Sequence, residues 1–330
     1  MGVAVVAFQS ADIIAACLAS LANSQGVRLR LVVLDNASSD ATLQRIRDWA
    51  HGQPPGFTFE EAAVGAIAVA RADLTLLRSG LNGGFAFATN RCLEVLLADP
   101  AINLFWLVNP DARVRPDAAR HYAEAGRDGA FALMGGRTLF ADDPGVVQTD
   151  GGRVSRLTGK CTSVNWGALA ARVSMPPARA LDYFTGANCV ASRRFIEQSG
   201  LMPEDYFLYY EEVDWALRRG DLSLRPVPEA IVEHLGGTTI GSATLGQRPS
   251  PFASYFNHRN RMRFLRRFSP AALPLGMAFA VLKAGQLLLQ GARAEAWAVL
   301  AGAFALAPPA AVRARLSPAA QTAAFAPFNP

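Results

Sequence analysis

Cysteine is scarce and scattered. The four residues, Cys17, Cys92, Cys161 and Cys189, lie far apart with no C-x-x-C pair. That excludes a zinc cage or disulfide framework and points to buried thiols in a reducing compartment. Charge is low too, with 18% of residues charged against 51% hydrophobic, which excludes a disordered chain and leans toward burial or membrane contact. The opening MGVAVVAFQSADII has no basic segment, and Asp12 interrupts its apolar run. No targeting signal is therefore expected, and the protein is expected in the cytoplasm. No glycine-rich or basic phosphate loop follows the first apolar run, where the chain reads QSADII; this argues against a nucleotidyltransferase. At 330 residues the chain has room for one large domain or two small ones.

Acid is nearly missing from one end. Residues 1–234 hold 22 Lys+Arg against 26 Asp+Glu, whereas residues 235–330 hold ten against one, Glu295, a balance of +9. Such a tail attracts polyanions. No recognised nucleic-acid motif accompanies it, so nucleic acid is not expected as a partner. Arg259, Arg261, Arg263, Arg266 and Arg267 alternate with Phe256, Met262, Phe264, Leu265 and Phe268. That pattern reads either as a basic amphipathic helix on an anionic membrane surface or as a helix packing its apolar face on the core with a solvated Arg face. The apolar stretches Ala271–Leu289, which carries Pro274 and Lys283, and Ala296–Ala307, which is too short to span, read as helices lying on a membrane or folded against the main body.

What is present is alternation. Val3–Phe8, Leu29–Leu34, Leu74–Leu77, Leu104–Val108 and Phe131–Met134 are apolar runs of strand length, separated by the amphipathic stretches Ile13–Leu21, Ala41–Trp49, Phe85–Leu97 and Pro116–Ala123. The pattern predicts an α/β fold, a mainly parallel sheet with helices on both faces and ligands beyond the strands' carboxyl ends. Residues 136–183 read as a long irregular excursion. A helix over Arg193–Ser199, a carboxylate-rich segment from Glu204 to Asp214 and a strand over Val227–Val232 follow it.

Four segments carry candidate chemistry. Asp35 closes the second run in LDNASSDAT, where a strand-end carboxylate can accept hydrogen bonds from a ligand and Ser39 or Asp40 caps the next helix. Asn82-Gly83-Gly84 precedes a helix whose free N–H groups favour anions, although many helix starts use glycine with nothing bound. Asn109 and Asp111 flank Pro110 and could present oxygens to a divalent cation on a diphosphate; a plain Asn-Pro-Asp turn has the same pattern. Glu211, Glu212 and Asp214 crowd three carboxylates into four residues, which raises at least one pKa and suits a general base, while acids at a helix start also favour its dipole. His234, just before Gly236-Gly237, could reach a metal or phosphate.

In this order the segments QSADII, LDNASSDAT, NGGFAFATN, LVNPDARV, FTGANCVASRRFIEQSG, PEDYFLYYEEVDWALR and VPEAIVEHLGG resemble glycosyltransferase family 2, the GT-A nucleotide-sugar transferases, and within it the rhamnosyltransferase-like branch. NHRNRMRFLRRF resembles the family's segment after the catalytic domain. The resemblance implies a GT-A catalytic domain over residues 1–245 and a basic, apolar helical extension over 246–330. It implies that Asp35 contacts the nucleotide base, with Asn82, Gly83, Gly84, Asn90 and Asn109 on the donor side. Asp111 would be the metal-binding acid, His234 its helper at a Mg²⁺ or Mn²⁺ ion, and Glu212 the base, with Glu211 and Asp214 beside it. Phe184, Thr185, Gly186 and Ala187 would line the acceptor side. The implied reaction is an inverting transfer from a nucleoside diphosphate sugar (dTDP-rhamnose, then UDP-sugars) to a hydroxyl of a glycan or lipid-linked saccharide in cell-surface polysaccharide synthesis. The enzyme would work in the cytoplasm or on the inner face of the membrane. The competing reading is a catalytically silent nucleotide-sugar-binding or scaffold protein of the same fold.

Overall fold

The computed structural model describes residues 1–236, 241–242 and 244–328; Gly237 of the expected glycine pair lies outside them. In chain order the elements are β1 (Gly2–Ala7), α1 (Ile14–Ala22), β2 (Arg30–Asp35), α2 (Thr42–His51), β3 (Phe59–Ala63), β4 (Leu74–Arg78), α3 (Phe85–Leu97), β5 (Leu104–Val108), β6 (Ala112–Val114), α4 (Ala118–Ala125), β7 (Leu133–Phe140), β8 (Asp143–Thr149), β9 (Gly152–Val154), β10 (Cys161–Ser163), β11 (Asn188–Ser192), α5 (Arg193–Ser199), α6 (Glu211–Leu217) and β12 (Leu224–His234). Five helices close the chain: α7 (Pro251–Phe268), α8 (Leu273–Leu289), α9 (Arg293–Ala303), α10 (Ala310–Arg313) and α11 (Pro318–Ala324).

Ten strands form one sheet in the order β3-β4-β2-β1-β5-β11-β7-β12-β6, with β8 added on β7. The β3, β4, β2, β1 and β5 neighbours pair in parallel, as β7 does with β12; β11 runs antiparallel between β5 and β7. The fold is therefore mixed α/β with a mainly parallel sheet. Val3, Val5, Leu31, Val33, Trp106 and Val108 pack one face against α1 and α4, while Ala4, Val32, Leu34, Phe105 and Leu107 pack the other against α3 and beyond. Burial on both faces is why these runs are continuous rather than alternating.

Six strands, β3, β6, β8, β9, β10 and β11, are additional to the sequence reading. The stretch expected to be irregular from 136 on continues β7 to Phe140, returns as β8 and adds the short pair β9 and β10. β3, FEEAA, is an edge strand whose Glu61 pairs with Arg47 and Arg78, so it lacks an apolar signature. β11, NCVAS, is short and fully buried.

The larger correction concerns α7. Ser250 caps it by accepting from the Ala253 N–H, with Pro251 at its first position. Yet it is no amphipathic surface helix: Arg259, Arg261 and Arg263 are all under 9% exposed, and only Arg266 of the cluster is exposed. Neither a lipid-facing nor a solvated Arg face exists there. The guanidiniums turn inward onto aromatic rings, Arg259 lying 4.5 Å from the Phe256 ring and Arg261 4.8 Å from that of Phe279, and onto backbone carbonyls described below.

Candidate active site

The carboxyl ends of β1, β2 and β5 and the loop after β4 open into a cleft of ≈ 920 Å³. Its lining brings together Asn36, Asn82, Gly84, Asn109, Asp111, Glu211, Glu212 and His234. Residues from the C-terminal segment reach it too, including Phe252 of α7 and Arg315 in the turn after α10.

The Asp111–His234 pairing follows from strand register. β6 lies antiparallel to β12 with Ala112 opposite His234, so the residue before Ala112 falls beside the imidazole. Asp111 Oδ1 is 3.0 Å from His234 Nε2, and Oδ2 accepts from the Gly236 N–H at 3.1 Å. Gln148 donates its amide to the His234 carbonyl (3.2 Å) and so presents Oε1 to Nδ1 at 2.6 Å. Nδ1 therefore carries the ring hydrogen. Nε2 then accepts from Asn109 Nδ2 at 3.1 Å while it faces the Asp111 oxygen. A carboxylate beside an imidazole nitrogen suits Mg²⁺ or Mn²⁺ completed by phosphate and water, a cation there taking the place of the Asn109 contact on Nε2. Among the described residues no group of three or more His, Cys, Asp or Glu is assembled for a metal.

Glu211 and Glu212 open α6 and line the same cleft, and each has a buried Oε2 with no hydrogen-bond partner. Burial pushes the Glu212 carboxyl up to about 7 against the pull of nearby backbone N–H groups. Burial, then repulsion from Glu212, pushes Glu211 well above the carboxylate range. Asp214 does not join them. It is fully buried, with Oδ1 taken by Arg218 at 2.5 Å and Oδ2 by Tyr206 and Arg267 at 2.8 and 2.7 Å. The same Arg267 reaches Asp205.

The loop that delivers these glutamates is strained. Phe207, Tyr209 and Tyr210 all have positive φ (65°, 68° and 76°), an unfavourable region for bulky residues that persists only when surroundings enforce it. α7 enforces it. Asn260 Nδ2 lies 2.8, 2.6 and 3.0 Å from the carbonyls of Tyr206, Leu208 and Tyr209. Arg259 donates to the Tyr206 carbonyl at 2.7 Å, and Arg263 donates to that of Asp205. The glycine pair holds the other side: the Phe207 carbonyl accepts from the Phe85 N–H at 2.8 Å, and a Cβ on Gly84 would stand 2.3 Å from that oxygen. The close approach these glycines permit is thus made by the protein's own backbone, which occupies the first N–H of α3.

Other expected residues separate in the same way. Thr185, Gly186 and Ala187 line the cleft, but Phe184 is a core side chain against Gly135 and Gly151. Asn90 ties α3 to the Met202 backbone and to Glu204, away from the cleft. Gly83 packs on the Phe87 ring side, its N–H held by Asn36. Asp35 is 1% exposed; Oδ2 accepts from the Ser38 N–H, Oδ1 has no partner, and burial raises the carboxyl above its ordinary range. Gln148, Cys161, Tyr183 and Arg315 line the cleft without having been singled out. They come from segments with no periodicity, or from a turn far along the chain, and only the fold gathers them.

Residues 2–148 match the family model described as Glycosyl transferase family 2. No curated protein matches the sequence. Among solved structures the chain is similar to the mannosyltransferase PcManGT from Pyrobaculum calidifontis in complex with GDP-Man and Mn²⁺, at 18% identity and a TM-score of 0.50 over 92% of this chain and 85% of that one. It is also similar to S. aureus TarS 1-349, at 14% identity and a TM-score of 0.48 over 80% of this chain, and it spans 63% of that chain's length. The complex of TarS 1-349 with UDP-GlcNAc gives 15% and 0.49, over 81% and 70%. The shared architecture is the GT-A fold.

Proposed function

We propose that the chain is an inverting glycosyltransferase, in which residues 1–245 transfer a sugar from a nucleoside diphosphate sugar to a hydroxyl of a glycan or lipid-linked saccharide, and residues 246–330 form a helical extension. The observation that carries this reading is one cleft lined by two chemically opposite groups. Buried glutamates, each with one oxygen lacking a hydrogen-bond partner, share it with the Asp111–His234–Asn109 group.

The division of labour follows from chemistry. Glu212 takes the proton of the acceptor hydroxyl while that oxygen bonds to the anomeric carbon and the bond from this carbon to the diphosphate breaks; the nucleoside diphosphate leaves with the electron pair. Glu212 is preferred over Glu211 because it is the less buried of the two. Asp111 and His234 would hold Mg²⁺ or Mn²⁺, which when bound neutralises the charge of the leaving diphosphate. Asn36 and Asn82, hydrogen-bonded to each other at 3.0 Å, form the polar floor of the donor side beside Asp35.

Rhamnose from dTDP-rhamnose is the favoured sugar, supported by the likeness of the motif set to the rhamnosyltransferase-like branch, with cell-surface polysaccharide as the destination. UDP-GlcNAc and GDP-Man, present in the similar structures, are the competing donors. The test is a thermal-shift and hydrolysis panel of dTDP-, UDP- and GDP-sugars with and without Mn²⁺. Stabilisation by one nucleotide family together with slow donor hydrolysis supports the proposal. Binding without turnover toward any acceptor or water would favour the silent, nucleotide-sugar-binding alternative.

A further inference from the structure

The charge and apolarity of the C-terminal third divide once the fold is known. Of its cations, Arg259, Arg261 and Arg263 are spent inside on the base loop and its surroundings. The apolar excess goes the other way. α8, LPLGMAFAVLKAGQLLL, contains no acid, and its residues sort by helical spacing. Gly276, Ala280, Ala284 and Leu287 face inward, and a Cβ on Gly276 would stand 2.4 Å from Leu265 of α7. Leu275, Val281, Leu282, Leu288 and Leu289 face outward, at exposures of 48, 50, 74, 53 and 93%. On the following helix and turn Trp297, Phe304 and Leu306 are 50, 41 and 44% exposed.

A soluble surface rarely gathers so many large apolar side chains without a partner. The stretch Pro270–Leu289 has a mean hydropathy of 1.6 in its most apolar window, of which 22% is buried, and is long enough to cross a bilayer by length and composition. Crossing would strip Ala280, Ala284 and Leu287 from the main core cluster that they share with Met262 and Leu265. Lying in the plane of a membrane surface keeps that packing and covers the outer face.

Charge selects the occupant. Arg266 and Arg293 are exposed and Lys283 is partly so, and Glu295 is the one acid of residues 235–330. A second copy of the chain, docked face to face, would bring these cations together; an anionic surface complements them. We propose that the outer face of the α8–α9 hairpin seats on an anionic lipid bilayer, with α8 lying along the headgroup region and the active-site body above it. This removes the Arg-rich α7 from the expected lipid contact and keeps the apolar helices behind it, and it does not depend on the transfer reaction.

The experiment is flotation of the full chain with vesicles of phosphatidylcholine alone and of phosphatidylcholine mixed with phosphatidylglycerol, at low and high salt, with brominated acyl chains as a depth probe. The expected result is flotation with the anionic vesicles, weakened by salt, and bromolipid quenching of tryptophan fluorescence that Trp297→Phe removes. Leu282→Glu/Leu289→Glu should weaken binding by about tenfold or more and leave nucleotide-dependent thermal stabilisation unchanged, since both side chains are exposed. Absence of flotation and quenching in the unmodified protein overturns the proposal. So does equal binding to neutral vesicles, or a solution dimer, seen by light scattering, that Leu282→Glu/Leu289→Glu dissolves.

Discussion

Asn260 and Leu208 are 52 residues apart in sequence and 2.6 Å apart from side-chain amide to backbone carbonyl. That bond, with those to Tyr206 and Tyr209, fixes the left-handed residues leading into Glu211. Asn260→Ala leaves several carbonyls short of a donor and lets the loop relax. The expected cost is on the order of 1–3 kcal/mol in stability and roughly tenfold or more in turnover, because small displacements of a catalytic group are expensive. Donor affinity stays near that of the unmodified protein, since Asn260 bonds none of Asn109, Asp111 and His234. Steady-state kinetics beside nucleotide titration checks this, and equal losses in both quantities would refute it.

Glu212→Gln keeps size and removes the acceptor for the proton. Turnover falls by on the order of a hundredfold while the nucleotide sugar still binds. Glu211→Gln is the control; if it alone abolishes turnover with donor affinity intact, the base is one residue earlier.

The raised carboxyl also sets the pH response. Activity of the unmodified protein rises with pH through about 7, where burial places the Glu212 ionisation. Stability runs oppositely: between the unfolded value near 4.3 and that folded value the native state binds more protons, so this carboxyl erodes stability as pH rises across the window. Glu212→Gln should therefore gain stability over the unmodified protein at alkaline pH, on the order of 1 kcal/mol, and show little difference in acid. Thermal melts across pH decide.

Asp111→Asn can still accept from the Gly236 N–H but loses the charge facing His234. Mn²⁺-dependent thermal stabilisation in the presence of nucleoside diphosphate should disappear, and turnover should drop at least about a hundredfold. Full activity of the unmodified protein in EDTA would remove the metal role.

Gly84→Ala tests the back of the loop. Its φ of 92° and the 2.3 Å approach to the Phe207 oxygen leave no place for a methyl group. The expected loss is about 2 kcal/mol or more, read as a lowered melting temperature, with a larger loss of turnover than of donor binding.

The parallel strands were legible because Val3 to Phe8 or Leu104 to Val108 carry their burial in their own composition. So was the position of Asp111 and His234, each beside a strand terminus, where the register pairs them. Asp214 was not separable from its neighbours, since its removal from the cleft depends on Tyr206 and on Arg267, 53 residues away. The cationic α7 misled for a similar reason. An arginine that serves backbone carbonyls inside a protein has the same local pattern as one that faces water or lipid, and only the strained loop it serves distinguishes them.

The clamp on the base loop has a consequence for how the protein is made. All the carboxylates of the cleft have been synthesised by residue 212, yet Asn260 follows Tyr206 by 54 positions. At roughly 5–20 residues per second a ribosome takes several seconds to supply it. Until then the loop has no reason to hold three left-handed residues, and the site is incomplete although its chemistry is already encoded. A chain stopped at 245 would keep every acid of the cleft and still lack the helix that aims two of them.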